Sequence, residues 1–209
     1  MGQVFVLDHP LIADKLTRMR RKKTCSKDFR ILLKEISLLM GYEVTRSMKT
    51  KMVEVETPLM VTSKPMLEED LITIVPILRA GVGLVDGLLE LLPIARVGHI
   101  GMYRDEETKQ PVEYYCKMPA DVAESLVIVV DPMLATGGSA IDAVNALKSR
   151  GCANIRMMNL VAAPEGIRAF QEAHPDVDIY VAAVDDGLDQ NAYILPGLGD
   201  AGDRIFGTK

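Results

Sequence analysis

A chain of 209 residues, 48% apolar and 25% charged, is long enough to bury one sizeable α/β core without disulfide or metal staples. Its formal charge of −5 argues against a general nucleic-acid coat, and with no run of 18 apolar residues and no leader-like start it is expected to be cytoplasmic, engaging neither membrane nor nucleic acid. Three cysteines, Cys25, Cys116 and Cys152, are odd in number and lack C-x-x-C spacing, which points to a reducing compartment and away from a disulfide framework or a zinc site.

Residues 1 to 24 read as an irregular start and a short helix ending in the basic run Arg18-Met19-Arg20-Arg21-Lys22-Lys23, either a solvated face or a contact for a nucleotide effector or nucleic acid. Ser26 suits the N-cap of a helix whose apolar positions Phe29, Leu32, Leu33, Ile36, Leu39 and Met40 follow the 3.6 period. From Lys51 to Thr62 apolar and polar residues alternate around Pro58, the pattern of an exposed β-arm that needs a partner to cover it. A subunit interface is expected there. Leu71 to Leu78 is almost wholly apolar, as in a strand buried on both faces of a parallel sheet. It runs into Arg79-Ala80-Gly81-Val82-Gly83, which serves either as a plain helix entry or, through Arg79, as a phosphate contact. The helix that follows, Leu84 to Leu92, is stopped by Pro93.

Arg96 to Tyr103 is a further short strand, and the charged stretch Arg104 to Pro111 is the tip of an excursion that Val112 to Lys117 brings back. That tip reads as a solvated hairpin or as a lid in which Arg104 folds over an anion and excludes water. Leu126 to Val130 is an apolar strand that ends in Asp131 and feeds a loop closed by Thr136-Gly137-Gly138-Ser139 before a helix carries on from Ile141 to Leu147 and ends at Gly151. Adjacent glycines let successive N–H groups face one concavity, and the N–H groups that open a helix lack intrahelical partners, so the loop suits a phosphate. Asp131 would repel that anion and is better suited to accept hydrogen bonds from sugar hydroxyls. The plain alternative is an ordinary strand-to-helix turn with Ser139 as N-cap. A P-loop is excluded, because Ser139 stands where its lysine would be.

Ile155 to Ala162 is the next strand, Pro164 opens a helix to Ala173, and Ile179 to Val184 is the last strand. The alternation implies right-handed parallel crossovers with helices on both faces, so the strand ends at Arg79, Asp131 and Ala162 can converge on one ligand. The tail, Asp185 to Lys209, is either a disordered end or a packed one; Tyr193, Ile194, Leu195 and Leu198 are too apolar for a solvated tail. His9, His99 and His174 show no metal or nucleophile spacing and read as structural or surface residues, and the methionines read mostly as core fillers.

Val129 to Ser139, V-V-D-P-M-L-A-T-G-G-S, resembles the phosphoribosyl pyrophosphate (PRPP) loop of the type I phosphoribosyltransferases. Most of that superfamily carries two adjacent acids here; the single Asp131 followed by Pro132 narrows the likeness to the uracil phosphoribosyltransferase branch. The Arg79 segment is similar to the pyrophosphate loop, the Arg104 tip to the flexible catalytic loop, and Tyr193 to Arg204 to the uracil-binding hood, so the resemblance runs from about Val4 to the end. It implies an α/β fold with an open parallel sheet and helices on both faces. The single domain 1–209 would have its core at about 68–184 and a hood from about 1–45 and 185–209, with the β-arm contributing to a homodimer.

The implied reaction transfers the 5-phosphoribosyl group from PRPP, carried as its magnesium complex, to uracil, giving UMP and pyrophosphate. Arg79, Arg104 and Asp131 would be catalytic. PRPP would be held by these three with Pro132, Met133, Leu134, Ala135, Thr136, Gly137, Gly138, Ser139 and Asp200, and uracil by Tyr193, Ile194, Gly199, Asp200 and Ala201. No side chain would ligate the metal directly, and GTP activates some members of the family. Two alternatives stay open: a PRPP- or nucleotide-sensing regulator on the same fold, favoured only by the basic run, and a purine phosphoribosyltransferase, disfavoured by the tail.

Overall fold

The apolar runs of the sequence form the centre of one sheet. The computed structural model describes residues 2–68, 71–104 and 111–208. Its first part holds strand β1 (Val4–Val6), helices α1 (Pro10–Arg20) and α2 (Ser26–Val44), and strands β2 (Thr50–Glu56) and β3 (Val61–Leu67). There follow β4 (Ile72–Leu78), a 3-10 turn at Ala80–Leu84, α3 (Val85–Leu91), β5 (Arg96–Val97), β6 (His99–Arg104) and β7 (Pro111–Lys117). The last part holds β8 (Leu126–Leu134), α4 (Gly138–Lys148), β9 (Ile155–Ala162), α5 (Pro164–Ala173) and β10 (Asp178–Val184). The tail adds β11 (Gly187–Leu188), β12 (Ile194–Leu195) and α6 (Ala201–Phe206).

Among the described residues the main sheet runs β1-β10-β9-β8-β4-β6-β7, with β5 also paired to β4. Every pair is parallel except β6 with β7, which run antiparallel. The central strands are buried on both faces, and their alternate residues supply two cores. Ile128 and Val130 face Phe29, Leu33, Ile36 and Leu88 of α2 and α3, while Val127 and Val129 face Val144, Leu147 and Phe170 of α4 and α5. Each fully buried aliphatic side chain contributes about 1.5–3 kcal/mol. A surface ion pair such as Arg18–Asp14 contributes about 0–1 kcal/mol, so the two layers rather than surface charge hold the fold.

Several expectations need correction. The chain start is not irregular, since Val4–Val6 pairs in parallel with β10 as an edge strand. Ser26 is the first residue of α2, and the cap is Cys25, which makes no side-chain capping bond. Strand β8 does not stop at Asp131 but carries on through Pro132 to Leu134, because its ladder with β4 has already ended at Val130 and a missing N–H there breaks nothing on that side. The strand expected to end at Val184 does so as β10, but it is not the last, since the tail folds into β11, β12 and α6.

The arm is as expected: among the described residues β2 and β3 pair only with each other, and they leave Met52, Leu59, Met60, Val61 and Met66 exposed. Those methionines are therefore not core fillers, unlike Met19, Met40, Met157 and Met158. His174 is structural, buried with Nε2 3.1 Å from the Ile141 carbonyl oxygen and Nδ1 3.3 Å from Lys148 Nζ.

Candidate active site

Parallel pairing of β4, β8, β9 and β10 puts their carboxyl ends on one edge, so the loops that follow them meet there. The loop after β8 is short, Ala135 to Gly137. Gly137 takes φ +87° as the N-cap of α4, a conformation that costs a glycine little. Gly138, Ser139 and Ala140 open the helix, whose first backbone bond runs from Ile141 N to the Gly137 carbonyl, and its first turn carries no acid. Three N–H groups are thus free of intrahelical partners and the helix dipole adds to them, which favours an anion. A cavity of about 90 Å³ is lined by Asp131 and Met133 to Ala140. That is the share of about three waters in the liquid, room for a small anion. From the far side Gly166 seals the loop, since any side chain there would overlap the Leu134 and Ala135 carbonyls.

Asp131 stands at the inner edge of this cavity. The Met133 N–H donates to its Oδ1 at 3.3 Å, a long bond, and burial pushes its carboxyl up to about 7. Its own carbonyl accepts from Asn159 Nδ2 at 2.8 Å, which ties the strand to β9. A carboxyl so poor in donors is suited to ligand hydroxyls that supply them.

Arg79 follows β4 directly and is exposed, and the peptide bond joining it to Leu78 is cis. Behind it Gly81 lies so close to the Val130 carbonyl and Pro76 that no side chain fits, which packs the turn onto β4 and β8. Tail and turn meet here: a Cβ on Gly202 would stand 3.2 Å from Asp200 Oδ1 and 4.0 Å from Arg79 Nη2. Asp200 caps α6, its Oδ1 accepting from Asp203 N at 2.8 Å. Ile194 and Ala201 are buried, Gly199 and Asp200 are exposed, and Tyr193 is half exposed. Gly199 takes φ +78°, a turn conformation that costs a glycine little.

Along the rim formed by the carboxyl ends of β4 and β8, Asp131, Thr136 and Ser139 line one cavity and Arg79 lies next to it, near Asp200; Gly199 and Asp200 line a second cavity of about 330 Å³ with Lys22, Thr24, Ser26 and Arg204. Arg104 closes β6; its side chain and the tip Asp105 to Gln110, which carry the lid expectation, lie outside the described residues. Among the described residues no cluster of three or more His, Cys, Asp or Glu is placed to hold a metal ion, and no helix is long and apolar enough to cross a membrane.

The basic run does not act as one surface. Arg18 pairs with Asp14, whereas Arg20 turns inward to Asp185 and Gly197. Those partners, together with Arg204, were not singled out from the sequence; the only local sign was the Pro196-Gly197 turn. A larger cavity of about 510 Å³ lies between α1 and α2, and its charges are largely spent on each other through Lys15–Glu35 and Arg18–Asp14.

Residues 6–208 match the family model described as uracil phosphoribosyltransferase. A uracil phosphoribosyltransferase of Alkaliphilus metalliredigens is 62% identical over the full length of both chains. Among solved structures, the AQ2163 protein of Aquifex aeolicus is 35% identical with a TM-score of 0.92, covering 99% of each chain. An adenine phosphoribosyl transferase of Trypanosoma brucei shares the fold at 14% identity and a TM-score of 0.60, covering 96% of this chain and 89% of that one.

Proposed function

Since the chain belongs to the uracil phosphoribosyltransferase family, we propose that this rim carries out the family's reaction, moving the 5-phosphoribosyl group from PRPP to uracil and releasing pyrophosphate. What supports the reading is an anion-favouring helix start after β8, an arginine after the neighbouring β4, and a glycine turn in the tail whose next residue, Asp200, comes near that arginine. The first suits the 5-phosphate, the second the diphosphate, and the third a flat base.

In such a transfer positive charge grows on the ribose and negative charge on the leaving diphosphate, so the protein chiefly positions reactants and stabilises the departing anion. The N–H groups of Gly138, Ser139 and Ala140, with the Thr136 and Ser139 hydroxyls, hold the 5-phosphate. Asp131 accepts from the ribose hydroxyls. Arg79 and Arg104 meet the diphosphate, which arrives as its magnesium complex and therefore as part of the substrate. Magnesium commonly takes one or two carboxylates plus substrate phosphates and water, and Asp200, near Arg79, is the carboxylate that would meet that hydrated ion. Main-chain groups of Ile194, Gly199 and Ala201 read the edge of uracil, with Tyr193 at its rim.

A second copy of the chain is the partner that the exposed Leu59, Met60 and Val61 of the arm support. Three unpaired cysteines support a cytoplasmic location. The test is initial-rate formation of UMP from uracil and magnesium-PRPP, run with and without GTP so that activation by that nucleotide is read in the same assay. Rapid turnover supports the enzyme reading, and PRPP binding without turnover would favour the regulator.

A further inference from the structure

Arg20 is the last residue of α1, yet its guanidinium points into the protein. Nη1 donates to Asp185 Oδ2 and to the Gly197 carbonyl, both at 2.7 Å, and Nη2 donates to Asp185 Oδ1 at 2.7 Å. Asp185 Oδ2 also accepts from the Gly197 N–H at 2.9 Å, and the Asp185 N–H donates to the Ala162 carbonyl at the end of β9. The pair is well sheltered, with side-chain exposures of 23% and 6%. One carboxylate and one guanidinium therefore hold both polar groups of the Gly197 backbone and tie them to a sheet strand and to α1.

The next carbonyl is held from the opposite side. Arg204 Nη1 donates to Leu198 O at 2.9 Å, its Nη2 donates to Arg21 O at 2.8 Å, and its plane lies over the Phe29 ring at 4.6 Å. Successive carbonyls, of Gly197 and Leu198, thus end on two arginines, each anchored to the C-terminal end of α1. Gly197 itself takes φ +58°, and any side chain there would overlap the Ile194 carbonyl oxygen. Gly199, Asp200 and Ala201 come immediately after this clamped turn, with no other fixed segment between.

We propose that Arg20 and Asp185 form a positioning pair for the base. They do not touch uracil; they fix the direction in which the Gly199 to Ala201 backbone faces it, and so set affinity for the base, while PRPP, held at Asp131 to Ser139 and by Arg79 and met by Asp200 only through its hydrated magnesium, keeps most of its affinity. The inference rests on reading Gly199 to Ala201 as the base site. Bidentate charge-assisted bonds restrain a backbone more strongly than neutral ones, and displacement of a substrate-reading group by about 1 Å can cost about 100-fold.

The test compares Arg20→Gln and Arg20→Lys with the unaltered full-length protein, measuring uracil KM by initial rates and magnesium-PRPP affinity by titration calorimetry. Arg20→Gln is expected to raise uracil KM about 10- to 100-fold with PRPP affinity changed less than about threefold, and Arg20→Lys to recover part of the loss. Should Arg20→Gln fail to fold by circular dichroism, Asp185→Asn, which keeps shape and one acceptor oxygen, takes its place. Unchanged uracil KM, or parallel loss of uracil and PRPP, overturns the proposal. Gly199→Val in the same assay separates the two readings: if it abolishes uracil use while Arg20→Gln does not, only the positioning role falls; if Gly199→Val also turns over uracil normally, the base site itself is misplaced.

Discussion

Replacing Asp131 by asparagine should weaken the enzyme and strengthen the ligand-free fold, with an effect on stability that depends on pH. Burial raises this carboxyl from 3.8 to about 7, and the single long bond from Met133 N–H offsets little of it. The native state therefore keeps its proton up to about pH 7, whereas the unfolded chain loses it near 3.8. Stability linked to that proton is fully present below 3.8 and is lost as pH rises through 7. At about 1.4 kcal/mol per pH unit, ionising Asp131 in the apo protein costs on the order of 4 kcal/mol at pH 8. Asparagine never ionises, so Asp131→Asn should match the parent near pH 4 and exceed it by that order at pH 8. For a chain of this size such a gap is on the order of 10 °C in Tm. Thermal and urea unfolding at pH 4.5, 6 and 8 measures the difference, other titrating groups cancelling between the two proteins. On the same variant kcat/KM for PRPP should fall about 10- to 100-fold, for the charged bonds to ribose hydroxyls that are lost. A gap that does not change with pH, or an asparagine variant less stable at pH 8, would refute the buried-carboxyl argument.

Arg104→Ala should depress kcat about 100-fold while barely moving ground-state binding, because a lid arginine meets the diphosphate best as its charge develops; movement of uracil KM alone would remove it from the lid. Gly199→Val forces a β-branched residue into φ +78° at a cost of about 1–3 kcal/mol, so uracil use should collapse while calorimetry still detects magnesium-PRPP binding. A Cβ has room at that position, the nearest atom being Arg204 Cδ at 3.9 Å, so the loss comes from the turn rather than from a clash. Charging the arm tip through Leu59→Glu and Met60→Glu should shift sedimentation toward a single copy without altering far-ultraviolet circular dichroism; unchanged sedimentation at equal concentration would show that the arm tip does not join subunits.

The sheet was legible where strands are buried on both faces, because Leu71 to Leu78, Leu126 to Val130 and Ile155 to Ala162 admit few polar residues and their loops must then share one edge. Val4–Val6 was not legible: three residues carry no usable period, and their pairing partner is β10, which lies far along the chain. Pro132 hid the end of β8, since a proline in an apolar run marks an exit unless the neighbouring ladder is known to have stopped. Gly199 was legible as a turn, yet Gly197 is the more constrained, because its conflict is with the Ile194 carbonyl three residues back. Arg20 was misread as surface charge, its partner Asp185 being 165 residues away. No local pattern encodes a contact between the end of a helix and a strand end that meet only once the sheet has formed.

The central claim, that this rim reads uracil by backbone while an anion-binding helix start holds PRPP, is tested most directly by a competition among bases. Uracil, adenine, hypoxanthine and guanine would be supplied together at equal concentration with limiting magnesium-PRPP, and the nucleotides formed separated by chromatography. UMP should account for nearly all product, matched mole for mole by pyrophosphate. A purine nucleotide as the main product, or PRPP left intact in the presence of uracil, would contradict the account.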